Sequence, residues 1–202
     1  MRFIPLDWLP ALHVFLGDRV ARGRRAPARD ALAVALGLHG MRVGEVCRAL
    51  RQDLDLLDGR LHVRTLKGGR ARSLRLHSSL AGALRSWAEG RPGGSLLSTS
   101  SGRAVFPSQF QRGCRQLTLE ALGESFRFHA LRHTFAMQVY SATRDLLLVK
   151  RLLGHRSVSA TEVYADALAE IPVELLLDLG GVEECRFPAK PTVRQLRIFD
   201  AG

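Results

Sequence analysis

A chain of 202 residues, 46% of them hydrophobic, is long enough for one full-sized core and a tail, so a single domain is expected. Its 30 basic and 19 acidic residues give a net charge of +11, and the only lysines are Lys67, Lys150 and Lys190. Because the arginine fork binds phosphate bidentately, this excess favours a polyanionic partner, above all nucleic acid. A genome biased toward arginine codons would give the same composition.

Cysteine usage and hydropathy exclude several protein classes. Cys47, Cys114 and Cys185 are odd in number and widely spaced, so neither a disulfide framework nor a zinc site is indicated. The apolar N-terminus is interrupted by two prolines and an aspartate, and no apolar run is long enough to cross a bilayer. The sequence therefore predicts a soluble cytoplasmic protein with no metal, no cofactor and no membrane partner.

The first 50 residues have the spacing of three helices. Apolar residues recur at helical intervals from Leu9 to Leu16, which predicts a first helix. Pro27 can open a second helix that runs to His39. Residues 43–50 have the pattern of a short third helix.

A small sheet is predicted next, because the period of the sequence changes. Two turn dipeptides, Asp58-Gly59 and Gly68-Gly69, separate short strand-like runs. Three antiparallel strands are therefore expected, at about residues 54–57, 61–66 and 71–76. Lys67 then stands at the tip of the second hairpin.

The second half of the chain is predicted to be helical apart from one polar loop. Ser78 or Ser79 can cap a helix to about residue 89, and a loop rich in glycine and serine follows. Further helices are expected at about residues 107–121, 128–142, 145–153, 159–168 and 172–179. Residues 1–180 are predicted to form one domain and residues 181–202 a tail. The predicted fold class is mainly α with a small three-stranded antiparallel sheet.

Residues 127–136, RFHALRHTFA, combine two histidines with two arginines. His129 and Arg132 lie three residues apart and so share one helix face, while His133 is expected to face the core. The spacing of the two histidines suits a metal, but a zinc hydrolase would need a glutamate where Ala130 stands. A solvated helix face would give the same pattern.

Two further clusters carry residues suited to chemistry. In HGMRVGEVCRAL, Arg42 precedes Glu45 by three residues, which predicts a bidentate pair, although ordinary surface pairs have the same spacing. In LLGHRSVSATEVY, His155 follows a glycine that can end a helix, and Tyr164 stands nine residues later. A half-buried structural tyrosine would be ordinary at that position.

In their order and spacing, these clusters resemble the catalytic residues of the tyrosine recombinases, the phage integrase family. That family carries an arginine with Glu or Asp three residues later, a lysine at a hairpin tip, an H-x-x-R helix, a G-H or G-W pair, and a tyrosine about nine residues beyond. The matching residues are Arg42, Lys67, His129, Arg132, His155 and Tyr164. The resemblance covers the chain from its first helix to the helix after Tyr164, and LLGHRSVSATEVY is its most specific part.

The resemblance implies a tyrosine recombinase catalytic-domain fold and metal-independent breakage and rejoining of DNA. Tyr164 would attack the scissile phosphate and form a 3′-phosphotyrosyl intermediate. In the family pattern, Arg42 and Arg132 stabilise charge on the phosphate, and His129 and His155 donate hydrogen bonds to it. Lys67 protonates the leaving 5′-oxygen, and Glu45 orients an arginine.

The implied partners are double-stranded DNA with specific target sites and further copies of the chain, as a homotetramer on two sites. DNA integration, excision and inversion all fit, and a location at the nucleoid in the cytoplasm is expected. Residues 181–202 would pass to a neighbouring protomer, or else pack on their own domain. A basic N-terminal arm, predicted to contact DNA unless it is a solvated loop, centres on Arg24 and Arg25 and includes Arg19, Arg22 and Arg29.

The chain departs from most of the family because only 41 residues precede Arg42, too few for an N-terminal clamp domain. In this it resembles the short recombinases that invert fimbrial promoter segments. The chain is therefore expected to be either a natural short recombinase or a fragment. Two alternatives stay open. One is a type IB topoisomerase, which uses a similar residue set as a monomer, and the other is a DNA-binding regulator that keeps the fold without catalysis.

Overall fold

The computed structural model describes residues 2–23, 26–55, 57–64, 71–90 and 94–155. Within these ranges the helices are α1 (Leu9–Ala21), α2 (Ala26–Leu38), α3 (Val43–Arg48), α4 (Ser78–Ala88), α5 (Pro107–Leu122), α6 (Phe128–Thr143) and α7 (Leu146–Leu153). The strands are β1 (Leu54–Asp55), β2 (Arg60–Val63) and β3 (Arg72–Arg75), and short 3-10 turns cover Leu6–Trp8 and Arg51–Asp53. The predicted class, mainly α with a three-stranded antiparallel sheet, is confirmed.

Helix α2 lies at the centre of the fold. It packs against α1, α3, α4, α5 and α6, so it is buried on nearly every side. Its sequence, APARDALAVALGL, suits this position because alanine and glycine let neighbouring helices approach closely. At Gly37 an added Cβ would lie 2.7 Å from Leu131 Cδ1 of α6. A larger side chain there would force the two helices apart.

The sheet has the order β1-β2-β3, and both neighbouring pairs are antiparallel. Leu61 pairs with Leu74, and Val63 pairs with Arg72. The three apolar members of these pairs are buried in the core, while the residues that alternate with them are more exposed. One face of the sheet therefore covers the core, and the other meets solvent.

Two predicted boundaries are wrong because tertiary contacts and local turns end the elements early. The third helix ends at Arg48, since the backbone of Ala49 is extended and Leu50 forms a bridge with Ser95. Strand β1 is also shorter than predicted. The Asp55 carboxylate accepts two backbone N–H groups, at 2.9 and 3.1 Å, and so begins a turn.

The other predicted helices within the described ranges are confirmed, with ends that agree within one residue, except that α1 continues to Ala21, beyond the predicted run from Leu9 to Leu16. The predicted helices at 159–168 and 172–179, and the tail at 181–202, lie outside the described residues. Among the residues that are described, no helix is both long and apolar enough to span a membrane.

Candidate active site

The chain turns between α2 and α3 at Gly40, whose φ of 86° lies in the left-handed region. An added Cβ at Gly40 would lie 2.7 Å from the Phe135 ring, so both the backbone and the neighbouring helix require glycine. This turn leads directly to Arg42, the residue that precedes α3. The Arg42 side chain is 33% exposed, so its guanidinium can be reached from solvent.

Glu45 is the acceptor that this part of the molecule shares, and its side chain is only 1% exposed. Its carboxylate accepts the backbone N–H of Arg42 at 2.8 Å and Nη1 of Arg42 at 3.2 Å. Arg72 donates to both carboxylate oxygens, from Nη1 to Oε1 at 3.0 Å and from Nη2 to Oε2 at 2.8 Å. The predicted bidentate pair with Arg42 is therefore wrong, because the two-pronged contact forms with Arg72.

Sequence reasoning missed Arg72, the first residue of β3. Its side chain is 7% exposed, and Nη2 also donates to the Gly40 carbonyl at 3.2 Å. The sequence did contain a signal, because Arg72 is in phase with the buried Leu74 and Leu76 on the core face of the strand. An arginine on that face must be paired, since burying an isolated charge is costly.

Arg132 holds the ends of two other helices together. Its side chain is 1% exposed, and its guanidinium donates to the carbonyl of Gly40, after α2, and to that of Leu153, at the end of α7. The bond to Leu153 measures 2.6 Å. Nη1 of Arg132 also lies 3.9 Å from Oε2 of Glu45. Arg132 therefore belongs to the same cluster as Arg42 and Arg72.

His129 is the second residue of α6 and is exposed. Burial of part of the ring, followed by the charges of Arg132 and Arg42, lowers the pKa of His129 below its ordinary value. His133, expected to face the core, is half-buried, and its ring also meets that of His129 edge to face, with centroids 4.3 Å apart. One helical turn separates the two rings, which is the spacing at which side chains touch.

His155 is the second residue after α7. Gly154, between them, adopts a φ of 68°, and the His155 N–H donates to the Lys150 carbonyl at 3.0 Å. Burial, and then the charges of Arg132 and Arg42, lower the pKa of His155 to about 4. The lowered pKa values favour the uncharged imidazole of both His155 and His129 at neutral pH.

The cluster carries a surplus of positive charge. Three guanidinium groups, of Arg42, Arg72 and Arg132, meet the one carboxylate of Glu45, which leaves two positive charges uncompensated within this group. Burial alone would raise the pKa of Glu45, but the hydrogen bond and charge of Arg72, with help from the other two arginines, lower it. Within the described ranges no group of three or more His, Cys, Asp or Glu could hold a metal ion.

Four residues predicted to act on DNA lie outside the described residues. Lys67 falls in the connection between β2 and β3, Tyr164 follows His155 by nine positions, and Arg24 and Arg25 fall between α1 and α2. The structure thus brings together Arg42, Glu45, His129, Arg132 and His155, and adds Arg72.

The predicted basic arm is wrong in one member. Arg29 is buried, and its Nε and Nη2 both donate to Oδ1 of Asp30, at 2.9 and 2.7 Å. Arg19 forms an ion pair with Glu120 and lies over the Phe15 ring. A count of charges along the sequence does not distinguish a buried, paired arginine from one that is open to DNA.

A protein-family model and several known proteins match this chain. The family model described as "Phage integrase family" matches residues 19–170, which is more than half of the chain. The chain belongs to the phage integrase family. Tyrosine recombinase XerC of Azotobacter vinelandii is 35% identical over 130 residues, covering 62% of this chain and 43% of XerC. XerC of Pseudomonas aeruginosa is 32% identical over the same length with the same coverage. This member of the family thus spans less than half the length of those relatives.

Solved structures share the fold of this integrase-family chain. The crystal structure of XerA recombinase matches with a TM-score of 0.69 and 24% identity, covering 87% of this chain and 62% of XerA. XerH bound to its difH substrate, in a pre-cleavage complex, matches with a TM-score of 0.67 and 24% identity, covering 85% and 53%. A lambda integrase dimer bound to a COC′ core site matches at 0.61 with 22% identity, covering 90% and 63%. The predicted tyrosine recombinase catalytic-domain fold is confirmed.

Proposed function

We propose that this chain is the catalytic domain of a site-specific recombinase that cleaves and rejoins double-stranded DNA in the cytoplasm. The observation that carries the proposal is the cluster around Glu45, in which three arginines and two neutral histidines meet in a member of the phage integrase family. A surplus of fixed cations beside uncharged imidazoles suits an anionic phosphodiester.

The cluster supplies what attack at phosphorus demands. The pentavalent transition state carries more negative charge on its non-bridging oxygens than the ground state does, and preorganised donors stabilise that charge. Arg42 is exposed enough to donate directly, while Arg132 is held by two carbonyls and contributes a fixed charge behind it. The neutral His129 and His155 add hydrogen bonds, and His129 can accept a proton.

We assign the nucleophile to Tyr164 and the general acid to Lys67. The Tyr164 oxygen bonds to phosphorus as its proton passes to His129, and the bond from phosphorus to the 5′-oxygen breaks. Lys67 gives a proton to the departing 5′-oxygen. The product is a 3′-phosphotyrosyl link, which a DNA 5′-hydroxyl reverses by the opposite proton transfers. Both residues are assigned from the family pattern.

We assign assembly in the same way. XerH is crystallised on difH DNA, and lambda integrase is crystallised as a tetramer on a Holliday junction. By analogy, four copies of this chain would hold two target sites, with residues 181–202 passed between neighbours within the tetramer. Arg24 and Arg25 would contact the DNA backbone, where arginine contacts release counterions and make binding salt-dependent.

The proposal is tested with a library of nicked duplexes of random sequence, which trap covalent intermediates on any site that the chain cleaves. We expect a protein–DNA adduct that survives denaturation, forms in EDTA, and is absent from Tyr164→Phe. Tyr140→Phe is the matched control, because Tyr140 is the only other tyrosine, and it should still form the adduct. An adduct in Tyr164→Phe, or its loss in EDTA, would contradict the mechanism.

The same experiment separates the alternatives. Sequencing of the trapped duplexes gives the preferred site, and two copies of that site on one plasmid test for exchange of strands between them. Relaxation of supercoils without exchange would indicate a topoisomerase. DNA binding without any adduct would indicate a regulator that lacks catalysis.

A further inference from the structure

We propose that Arg72 is a positioning residue of the cleavage reaction, which holds Glu45 and the Gly40 carbonyl in place and thereby aims Arg42 and Arg132. The inference rests on the proposed function. Arg72 stands outside the set of residues that the family motif supplies, and its place in the site comes from its contacts alone.

The contacts of Glu45 rank its partners. Arg72 makes two hydrogen bonds to the carboxylate, at 2.8 and 3.0 Å, whereas the Arg42 guanidinium makes one of 3.2 Å. Arg132 stays at 3.9 Å. Bidentate charge-assisted pairs are the strong and directional ones, so Arg72 fixes the plane of the carboxylate. Without Arg72, the buried Glu45 would turn toward the two remaining arginines and draw them from their positions.

The Gly40 carbonyl is shared in a similar way. It accepts Nη2 of Arg72 at 3.2 Å and Nη1 of Arg132. Arg72 therefore contacts one of the two carbonyls that hold Arg132, that of Gly40 after α2, as well as the Glu45 carboxylate that lies 3.9 Å from Arg132. Nε of Arg72 is buried with no acceptor among the described residues, so Nη1 and Nη2 make the orienting contacts. A lysine has one nitrogen and could not reproduce this fork.

Arg72 also ties the β-hairpin to the cluster. It is the first residue of β3 and pairs with Val63, the last residue of β2. The connection between these two residues contains Lys67, the proposed general acid. One arginine thus fixes the base of this connection to the carboxylate that orients Arg42.

The charge of Arg72 has a second, separable effect. The groups that face His155 are Arg132 and His129 from α6, Arg42 before α3, and Arg72 from β3, and burial together with these charges lowers the pKa of His155. Removal of the Arg72 charge should raise the pKa of His155. Replacement of the guanidinium by a lysine ammonium, which keeps the charge, should leave the pKa of His155 unchanged.

The test compares three variants of the full chain, Arg72→Gln, Arg72→Lys and Arg75→Gln. Arg75 is the matched control, because it is an exposed arginine on the same strand. The measurements are single-turnover cleavage of a nicked duplex that carries the preferred site, DNA affinity, thermal unfolding, and the pKa of His155 by NMR.

We expect Arg72→Gln to slow cleavage by about a hundredfold, the usual cost of a small misplacement of reacting groups, with DNA affinity changed by less than about threefold. The pKa of His155 should rise. Arg72→Lys should keep that pKa and still cleave slowly, and Arg75→Gln should match the wild type in both respects. A variant that only loses stability would keep the wild-type rate per folded molecule.

Several results would overturn the inference. Wild-type cleavage by Arg72→Lys would mean that only the charge matters, and wild-type cleavage by Arg72→Gln would remove the role altogether. An unchanged pKa of His155 in Arg72→Gln would contradict the proximity of the two groups. Failure of the wild-type chain to form any adduct would instead overturn the proposed function, and the Arg72 role with it.

Discussion

Two groups of arginine and carboxylate, one around Glu45 and one within α2, differ in how their charges balance. Beside α3, Glu45 is shared by Arg72, Arg42 and Arg132. In α2 itself, Arg29 donates twice to Asp30 and lies 5.6 Å from the Phe110 ring. The side chains of Arg72 and Arg29 are both at least nine-tenths buried.

The difference in charge balance appears in the pKa shifts of Asp30 and Glu45, which have opposite directions. Burial raises the pKa of Asp30, and the hydrogen bond and charge of Arg29 offset this only in part. Burial acts in the same direction on Glu45, but several arginines together outweigh it and lower the pKa. Crowded like charges oppose folding, so the surplus around Glu45 is better explained by an anionic ligand than by stability. The balanced pair in α2 needs no ligand and is structural.

The largest expected effect is that loss of an arginine beside Glu45 impairs DNA cleavage, whereas loss of Arg29 impairs stability. Arg42→Ala should slow DNA cleavage by about 10²- to 10³-fold, the usual cost of removing one donor to a developing oxyanion. Stability should change little, because Arg42 is partly exposed. Arg29→Ala should do the reverse and lower the free energy of unfolding by about 3–5 kcal/mol, since it removes both hydrogen bonds that Arg29 donates to Asp30. Single-turnover cleavage and urea unfolding measure the two effects.

The two variants, Arg42→Ala and Arg29→Ala, must be compared by their cleavage rate per folded molecule. Arg29→Ala should cleave within about threefold of wild type once unfolded protein is discounted, and its DNA binding should keep the same salt dependence. Equal losses of cleavage in both variants would mean that the balanced pair also serves the reaction.

Two glycines give a smaller and more specific test of the same contrast. An added Cβ at Gly40 would meet the Phe135 ring at 2.7 Å, and one at Gly113 would meet Oδ2 of Asp30 at 2.6 Å. Each alanine variant should lose about 1–3 kcal/mol of stability through overpacking, and Gly40→Ala should lose more, because a φ of 86° strains a residue that has a Cβ. Only Gly40→Ala should also slow cleavage, because the Gly40 carbonyl holds both Arg72 and Arg132.

A double-mutant cycle checks the cause at Gly113. Asp30→Ala removes the carboxylate atoms that the new methyl group would meet at 2.6 and 2.8 Å and keeps the Asp30 Cβ at 2.9 Å. The stability losses of Gly113→Ala and Asp30→Ala should therefore sum to more than the loss in the double variant, because part of the clash is relieved. Strict additivity would show that Asp30 is not what limits the space at Gly113.

Local signals made most of the fold predictable. Pro107 opens α5 and Gly123 ends it, so the predicted 107–121 differs from the observed end by one residue. The third helix was predicted too long because its end is set by Ser95, which lies 45 positions from Leu50 in the chain and cannot be read from local spacing.

Most residues of the candidate site could be predicted from the sequence, whereas the hydrogen bonds between them could not. The spacing of Arg42 and Glu45 indicated a contact, but the stronger partner, Arg72, comes from 27 residues further along the chain. Arg132 reaches Gly40 across 92 residues. Charge along the sequence places Arg29 in a DNA-binding arm, although Arg29 pairs with Asp30, the next residue.

The smallest expected effect is a difference in sign between two pH dependences of stability. The pKa of Asp30 is raised above 3.8 in the folded chain, so folding favours its protonated form, and the stability that it contributes is lost as pH rises through the folded pKa. The pKa of Glu45 is lowered below 4.5, so its contribution is present above that value and is lost as pH falls through the folded pKa. Urea unfolding from about pH 3.5 to 7 should therefore show that the cost of Asp30→Asn shrinks as pH rises, while the cost of Glu45→Gln grows. Parallel curves would mean that the two carboxyl groups share one environment, and the distinction between a balanced pair and a cationic site would fail.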